Sequence, residues 1–371
     1  MALGQCTVES MVLNLFGGVY AGRRVLVTGH TGFKGSWLTL WLRQLGATVA
    51  GLALDPDTVP SHSALLGFDY VADYRVDLRD ATAVRHVLDT QQPEIVFHLA
   101  AQPLVRRSYR APADTFASNV TGLINLLDAI RDCSSVRVLI NATTDKVYAE
   151  HDALGGYIET DPLGGHDPYS ASKACAELVT DSYRKSFFST PDASTRIASA
   201  RAGNVIGGGD WAEDRLVPDI VRAANAGHAL LIRNPSAVRP WQHVLEPLSG
   251  YLRLAQMLWD DRRFVGAWNF GPRAEGEISV GTLAAQLSAS WPALRIEHDA
   301  SVHPHEAAIL RLNCDKACTQ LAWRPVWNIA TTLARTAGWY RQFHASGKLQ
   351  SADDLAAYID DARRLELAWA A

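Results

Sequence analysis

Three features of the sequence predict an α/β protein. Short apolar strands alternate with amphipathic helices, a glycine-rich turn joins the first strand to the first helix, and the texture changes after residue 204. The expected architecture is a doubly wound parallel sheet with a smaller, mostly helical C-terminal lobe. The first strand is RRVLVT (23–28), a run that ends in glycines, and residues 34–45 follow with helical apolar spacing. TVAGLAL (48–54), EIVFHL (94–99), VRVLIN (136–141) and RIASAR (196–201) read as further strands, apolar enough to be buried on both faces. Between the third and fourth of these five runs, numbering from RRVLVT, the amphipathic stretch 113–130 supplies a crossover helix. Past Asn204 come a glycine loop (207–210), a helix (216–226) and a loop (233–240), then helix with a few short strands. No repeat or low-complexity linker interrupts the chain, so the second half is expected to fold against the first.

Composition excludes several classes of partner. The 371 residues are 48% hydrophobic and 20% charged, which suits a globular chain with a sizeable core. A net charge of -4 without a basic run argues against nucleic acid or an anionic membrane surface. No apolar stretch reaches the ~18–20 residues that span a bilayer. The first 18 residues lack the basic start of a secretory signal, so a cytoplasmic location is expected. Cys6, Cys133, Cys175, Cys314 and Cys318 are scattered, and Cys314 and Cys318 have no second pair to complete a metal site. Reduced thiols and no metal are the expectation.

Gly29-His30-Thr31-Gly32-Phe33-Lys34-Gly35 follows the first strand and opens the first helix. Glycines at this spacing permit a tight turn and let backbone N–H groups approach a pyrophosphate at the helix's positive end. A glycine triplet alone is weak evidence; its place between strand and helix makes it a dinucleotide site. Gly29, Thr31, Gly32, Phe33, Lys34 and Gly35 are therefore expected to hold NAD in a Rossmann-type domain. Asp55, 20 residues past Gly35, fits the acid that binds the adenosine ribose and repels a 2′-phosphate. The predicted organisation is an N-terminal extension (1–19), an NAD-binding domain (20–203, completed by 240–275) and a mainly substrate-binding lobe (204–371).

Tyr169 and Lys173 are four apart at the start of a helix, hence on one face. A free phenol ionises near ~10, so only about one in a thousand is a base at neutral pH. A neighbouring ammonium favours the phenolate. Thr144-Asp145-Lys146 directly follows a strand, at the carboxyl end where α/β sheets place their ligands. An isolated Tyr/Lys or Asp/Lys pair is more often a solvated or salt-bridged surface feature. Together behind a glycine loop they form a catalytic constellation, with Thr144, Asp145, Lys146, Tyr169 and Lys173 as its members.

At these segments the chain resembles the extended short-chain dehydrogenase/reductase superfamily, and within it the CDP-glucose 4,6-dehydratases. The matching stretches are VTGHTGFKGSWL (27–38), HLAAQPLVRRSY (98–109), TTDKVY (143–148), DPLGGHDPYSASKACAELV (161–179), GNVIGGGDWAEDRLVPDIVRA (203–223), RPWQHVLEPLSGYL (239–252) and HEAAILRLNCDKACTQLAWRP (305–325). TTDK and RPWQHVLEP are the specific elements, because the related dTDP-glucose enzymes carry Asp-Glu in place of Asp145-Lys146. The resemblance implies a lyase that regenerates NAD at every turnover. In it Tyr169 takes the proton of the sugar's 4-hydroxyl while hydride leaves C4. Lys146 then removes the C5 proton, Asp145 protonates the departing 6-hydroxyl, and the hydride returns to C6. Thr144 would hold the C4 oxygen, and Lys173 the nicotinamide ribose.

The resemblance further implies that Asp77 and Leu78 hold the adenine, with Leu99, Ala100, Ala101 and Asn119 completing the cofactor site. Gln102, Arg107, Ser108, Asn204, Arg215, Leu216, Arg239 and His243 would grip CDP-glucose, where guanidinium forks match phosphate geometry. A homodimer or homotetramer would form through the helices over 113–130 and 169–187. The sequence departs from the family pattern in AEHDALGGYIET (149–160), with Ile158 where an Arg is common. It departs again at Asp55, two positions past the usual acid. Two other readings are a nucleotide-sugar epimerase, which would leave Asp145 and Lys146 idle, and a non-catalytic dinucleotide sensor, which would not need Tyr169 and Lys173.

Overall fold

Seven strands form the central sheet: β1 (Arg24–Thr28), β2 (Thr48–Ala53), β3 (Ala72–Arg75), β4 (Ile95–His98), β5 (Val138–Ala142), β6 (Arg196–Ala202) and β7 (Gly266–Phe270). The computed structural model describes residues 14–68, 71–151, 155–190, 193–299, 301 and 309–371. Most of the N-terminal extension and part of the matching segment 305–325 thus lie outside the described residues. The strand order is β7-β6-β5-β4-β1-β2-β3, and every neighbouring pair is parallel. Parallel neighbours need crossovers, and helices supply them. These are α1 (Phe33–Gln44), α2 (Ala81–Gln91), α3 (Gly122–Arg131), α4 (Pro168–Phe187), α5 (Leu216–Ala226) and α6 (Leu245–Asp260).

Side chains alternate along each strand, so the sheet feeds two cores. Leu26, Val96 and Leu139 pack against α2 and α3 on one face. Val25, Val27, Phe97 and Ile140 face α1 and α6 on the other, together with the C-terminal helices α7 (Ile329–Ser346) and α8 (Ser351–Arg364). The five strands expected from sequence lie within two residues of their expected bounds, and the helix over 216–226 is α5.

Two elements differ from expectation. The loop expected at 233–240 contains a strand, Val238–Pro240, paired antiparallel with Glu277–Ser279. Three residues that include a proline carry too little β signal to be seen. The helix expected at 113–130 is interrupted. Pro112–Phe116 leads into a wider, i→i+5 turn over Ala117–Thr121 before α3 begins.

The end of the chain returns to its beginning. Trp369 stacks on Phe16 with centroids 5.0 Å apart and meets Trp41 of α1 edge-on at 5.8 Å. Phe16 N–H donates to the Trp369 carbonyl at 2.8 Å. Among the described residues no helix is long and apolar enough to cross a membrane. Replacing a fully buried indole with a methyl costs about 3–5 kcal/mol. Trp369→Ala should therefore lower unfolding stability by about that amount in urea titration. A loss below about 1 kcal/mol would show that the C-terminal docking adds little to the fold.

Candidate active site

All sheet strands are parallel, so their carboxyl ends open on one edge, and a cavity of about 920 Å³ lies there. The glycine loop forms its floor. Gly29 has φ +75°, and a Cβ there would stand 2.7 Å from Ala100 N. A Cβ on Gly35 would stand 2.0 Å from the Gly29 carbonyl oxygen. Neither position tolerates a side chain, which leaves backbone N–H groups bare at the start of α1. The loop is thus a cradle that fits a dinucleotide's pyrophosphate. Thr28 Oγ1 at the end of β1 accepts from Ala100 N at 3.2 Å and contacts His98 Nδ1 at 2.8 Å. Those contacts fix Leu99, Ala100 and Ala101 along the same wall.

The second wall comes from the end of β5 and the start of α4. Asp167 caps α4 by accepting from Ser170 N, and Pro168 starts the helix, so Tyr169 and Lys173 face the cavity from its first two turns. Thr144 caps the short turn Asp145–Val147. Its Oγ1 donates to Asp145 Oδ1 at 3.0 Å. Asp145 Oδ2 is buried without a hydrogen-bond partner among the described residues. A buried carboxylate oxygen in that state calls for a proton or a ligand.

Electrostatics at this wall are unusual. Burial pushes the Tyr169 phenol up to about 12, opposed by the neighbouring Thr144 and by the charge of Arg215. Burial lowers Lys173 to about 8, with Glu177 acting the other way. Its Nζ donates to the Ala142 carbonyl at 3.2 Å. Lys34 is lowered further, to about 7, by burial and by the nearby charges of Arg215 and Lys173, partly offset by Asp145. Its Nζ lies 3.5 Å from the hydroxyl of Tyr251, which is fully buried on α6. A phenolate at Tyr169 therefore needs more positive charge around it than the empty cavity supplies.

The third wall belongs to the second half of the chain. Trp37 Nε1 donates to Gly208 O at 2.9 Å, and the Tyr340 hydroxyl donates to Asp210 O at 2.5 Å. These bonds anchor the 207–210 loop, and Arg215 follows at the N-terminal end of α5, 3.6 Å from Asp210. Asn204, Leu216 and Arg239 line the same space. Arg106 and Arg233 converge on Asp214 at 3.0 and 3.1 Å, which bridges the cavity's two rims.

Of the residues expected from sequence, all but three line this one cavity. His243 is a correction. It is fully buried between the rings of Trp37 and Trp327, and burial holds it neutral, down to about 3. Ser108 is another, since it is fully buried and its hydroxyl donates to the Val105 carbonyl of its own helical turn at 2.6 Å. Asn119 acts at one remove. From the wide turn before α3 its side chain accepts from Gln102 N at 2.8 Å and donates to Ser172 Oγ at 2.8 Å. It thereby ties the Gln102 loop to the helix of Tyr169. Asp55 lies at the cavity's outer end, exposed and 3.5 Å from Arg75, and Asp77 is held by Arg79 at 2.6 Å.

Sequence reasoning missed His30, whose Nε2 contacts Asp73 Oδ1 at 3.0 Å and whose ring fills the space above Gly51. A glycine inside β2 is the signal of that close approach. It also missed Tyr251, Asp214 and Arg233: the first two lie inside stretches that match the family but carry no assigned role there, and Arg233 lies outside them all. The four cysteines among the described residues are free. No group of three metal-ligating side chains occurs among the described residues.

The model of the NAD dependent epimerase/dehydratase family matches residues 25–265. The chain belongs to that family. It is 46% identical over 333 residues to a CDP-glucose 4,6-dehydratase of Salmonella typhimurium, covering 87% of this chain and 91% of the relative. A dTDP-glucose 4,6-dehydratase of Streptomyces antibioticus is 30% identical, over 86% of this chain and 93% of its own. Two solved structures share the fold at a TM-score of 0.73 and 26% identity. One is a dTDP-glucose 4,6-dehydratase from Streptomyces venezuelae with NAD and TYD bound (87% of this chain, 98% of that one). The other is a Thermus thermophilus UDP-glucose 4-epimerase in complex with NAD (86% and 99%). Dehydratase and epimerase thus share the scaffold, and side chains must separate them.

Lys34 generates a test that needs no substrate. In the unfolded chain its amine ionises near ~10.4, and in the folded apoprotein at about 7. Between these values the unfolded chain holds the extra proton, so folding stability rises with pH; Lys173 acts in the same sense. The melting temperature of the apoprotein should climb between about pH 7 and pH 9. Lys34→Met should melt higher at neutral pH and climb less. Identical curves for the two proteins would place Lys34 in contact with water, not in a desolvated site.

Proposed function

We propose that this chain converts CDP-glucose to CDP-4-keto-6-deoxyglucose, acting as an NAD-dependent hydro-lyase. The observation that carries the reading is Asp145-Lys146 together with Tyr169 in the lining of one cavity. NAD held by the glycine loop at Gly29, Gly32 and Gly35 would supply the acceptor for the substrate's C4 hydride and its donor to C6. Tyr169 as phenolate removes the 4-hydroxyl proton, with Thr144 beside it. Lys146 removes the C5 proton, and Asp145 protonates the 6-hydroxyl as it leaves. Lys173, anchored on the Ala142 carbonyl, orients the nicotinamide ribose and supplies positive charge. The glycine loop holds the pyrophosphate, and Asp55, Asp77 and Leu78 hold the adenosine end. The lobe from residue 204 onward takes the nucleotide sugar's diphosphate, through Arg215 and Arg239. An epimerase would need only Tyr169, Lys173 and Thr144, which leaves the extra acid and base without work.

Product analysis tests the reading. Mixed with CDP-glucose, the protein should yield a 4-keto sugar with an alkali-induced chromophore; an epimer in its place would sink the proposal. Lys146→Ala should still reduce NAD in a single turnover, while water loss slows on the order of 10²–10⁴-fold, the range of general base catalysis. Equal loss of both steps would remove Lys146 from its role.

The face of α4 turned from the sheet supports self-association. Leu178 is 59% exposed and Phe187 43% exposed on this helix, and Phe116 of the neighbouring helix is 36% exposed. We infer a homo-oligomer, a dimer or tetramer, built on these helices, working in the cytoplasm. Leu178→Asp should shift the mass measured by light scattering to that of one chain, whereas an unchanged mass would assign the interface elsewhere.

A further inference from the structure

No step of the reaction uses His62, a buried histidine that opens the short helix His62–Leu66 after β2. Its proton can be placed from its partners. Ser36 Oγ on α1 donates to the Phe33 carbonyl at 2.8 Å, so towards His62 Nδ1, also at 2.8 Å, it accepts. Nδ1 therefore carries the hydrogen, and Nε2 accepts from Ser351 Oγ at 2.7 Å. Ser351, at the start of α8, accepts in turn from Trp339 Nε1 of α7 at 2.9 Å. Each hydrogen in this line has one acceptor, and burial keeps the ring neutral, down to about 3. The imidazole is a fixed strut between α1 and the C-terminal helices.

A buried histidine is most often a packing residue, but the neighbours of this one give it more to do. Its ring lies on the backbone of Gly209, where a Cβ would stand 2.6 Å from the imidazole Cγ and where φ is +86°, so that glycine is required. A Cβ on Gly208 would run into Trp339 from the other side. Asp210 follows directly. Its Oδ1 accepts from Ala212 N at 3.0 Å, and its Oδ2 faces the Arg215 guanidinium at 3.6 Å. A shift of the backbone at Gly208 and Gly209 would therefore move Asp210, and Arg215 with it. Towards the cofactor side, Ser63 Oγ donates to the Thr31 carbonyl of the glycine loop at 3.0 Å. His62 thus joins the cradle that fits a pyrophosphate to the loop that aims Arg215, and it lines the same cavity as both.

We propose that His62 is a positioning residue, which sets the spacing between the glycine loop and the Arg215 loop and thereby the affinity for the nucleotide's diphosphate. The inference rests on the proposed role of Arg215. The physical reason is stiffness. Three successive glycines give the 207–210 loop little resistance of its own. It keeps its course because rings occupy the places where its side chains would be. Removing the imidazole opens a void beside Gly209 and leaves the Ser351 hydroxyl without its acceptor, and a loop so released relaxes into the space. The guanidinium then meets a diphosphate at a poorer angle, and paired, charge-assisted bonds depend on that geometry.

A double-mutant cycle on the NAD-loaded protein, with CDP binding followed by calorimetry, tests it. His62→Ala and Arg215→Ala should each weaken CDP on the order of tenfold, the worth of one charge-assisted hydrogen bond. The double variant should bind no more weakly than Arg215→Ala alone, because both changes remove the same contact. A residue that merely packs would lower the melting temperature and leave CDP affinity within about twofold of the wild type. That result overturns the proposal and leaves the role of Arg215 standing. Additive losses, about a hundredfold together, also overturn it, since His62 would then act without Arg215. An Arg215→Ala protein that binds CDP as the wild type does removes the role of Arg215, and that of His62 with it. Should His62→Ala not fold, His62→Gln takes its place in the same cycle. Glutamine keeps a hydrogen-bonding amide but puts no ring on Gly209, so the loss of affinity should persist, and wild-type affinity in that variant overturns the proposal.

Discussion

The site depends on one buried ion pair. Glu177 of α4 and Arg201 of β6 are both 4% exposed and meet at 2.9 Å. Burying two charges costs several kcal/mol per ion unless their remaining hydrogen-bond sites are filled. Here they are filled. Glu177 also accepts from Thr143 Oγ1 at 2.5 Å, and Arg201 donates to Tyr148 Oη at 2.8 Å and to the Glu159 carbonyl at 3.1 Å. Tyr148 in turn donates to Asn269 of β7 at 2.6 Å. The pair thus joins the end of β5, the middle of α4, β6, β7 and the chain at 148–159. Glu177 is one turn beyond Lys173, and Thr143 adjoins Thr144. Sliding α4 along the sheet would unpair both charges in a dry interior, so the register that sets Tyr169 against Thr144 is steeply defined.

That dependence explains which parts of the site were legible in the sequence. The glycine loop, Tyr169, Lys173 and the Thr144-Asp145-Lys146 run are local in sequence, and each follows a strand whose apolar pattern is plain. Their chemistry can be read because backbone sterics and helix spacing are short-range rules. His243 misled for the opposite reason. Its motif neighbours Arg239 and Trp241 line the cavity, but its own strand, paired with Val205–Ile206, turns the imidazole into a shell of indoles. Asp214, Arg233 and Tyr251 were invisible because only tertiary packing brings them to the rim or the floor. Glu177 was within reach, since it lies four residues past Lys173 on the same helix face, but its partner Arg201 reads as an ordinary strand residue.

Dehydratase and epimerase share this scaffold, so side chains must separate them, and the proposed function puts that difference at the end of β5. The strand ends in Asn141-Ala142, and the next turn is capped by Thr144's own hydroxyl. A capping threonine is also a stereochemical choice. It directs the hydroxyl inward and presents Asp145 and Lys146 in a tight turn that immediately follows the strand end. The Asp145 carboxylate is then held from below by Thr144, and Gly203 opposite leaves room, since a Cβ there would come within 3.2 Å of Oδ2. Local backbone geometry and catalytic placement are thus the same feature.

The charges of the cavity make sense only with ligands in it. Burial depresses Lys34, Arg215 and Lys173 stand close enough to add to it, and Asp145 alone among the groups acting on Lys34 opposes them. Two amines held near neutrality, at about 7 and about 8, are a cost to the empty fold. A dinucleotide pyrophosphate and a nucleotide-sugar diphosphate both bring negative charge to such a place. An anion in the cavity raises the pKa of both amines, so by linkage its binding takes up protons above pH ~7. The same amines then lower the barrier to forming a Tyr169 phenolate, because each proton they gain adds positive charge beside it. Instability of the empty site and competence of the filled one therefore have a single electrostatic origin, the clustering of cations around a carboxylate that cannot neutralise them all.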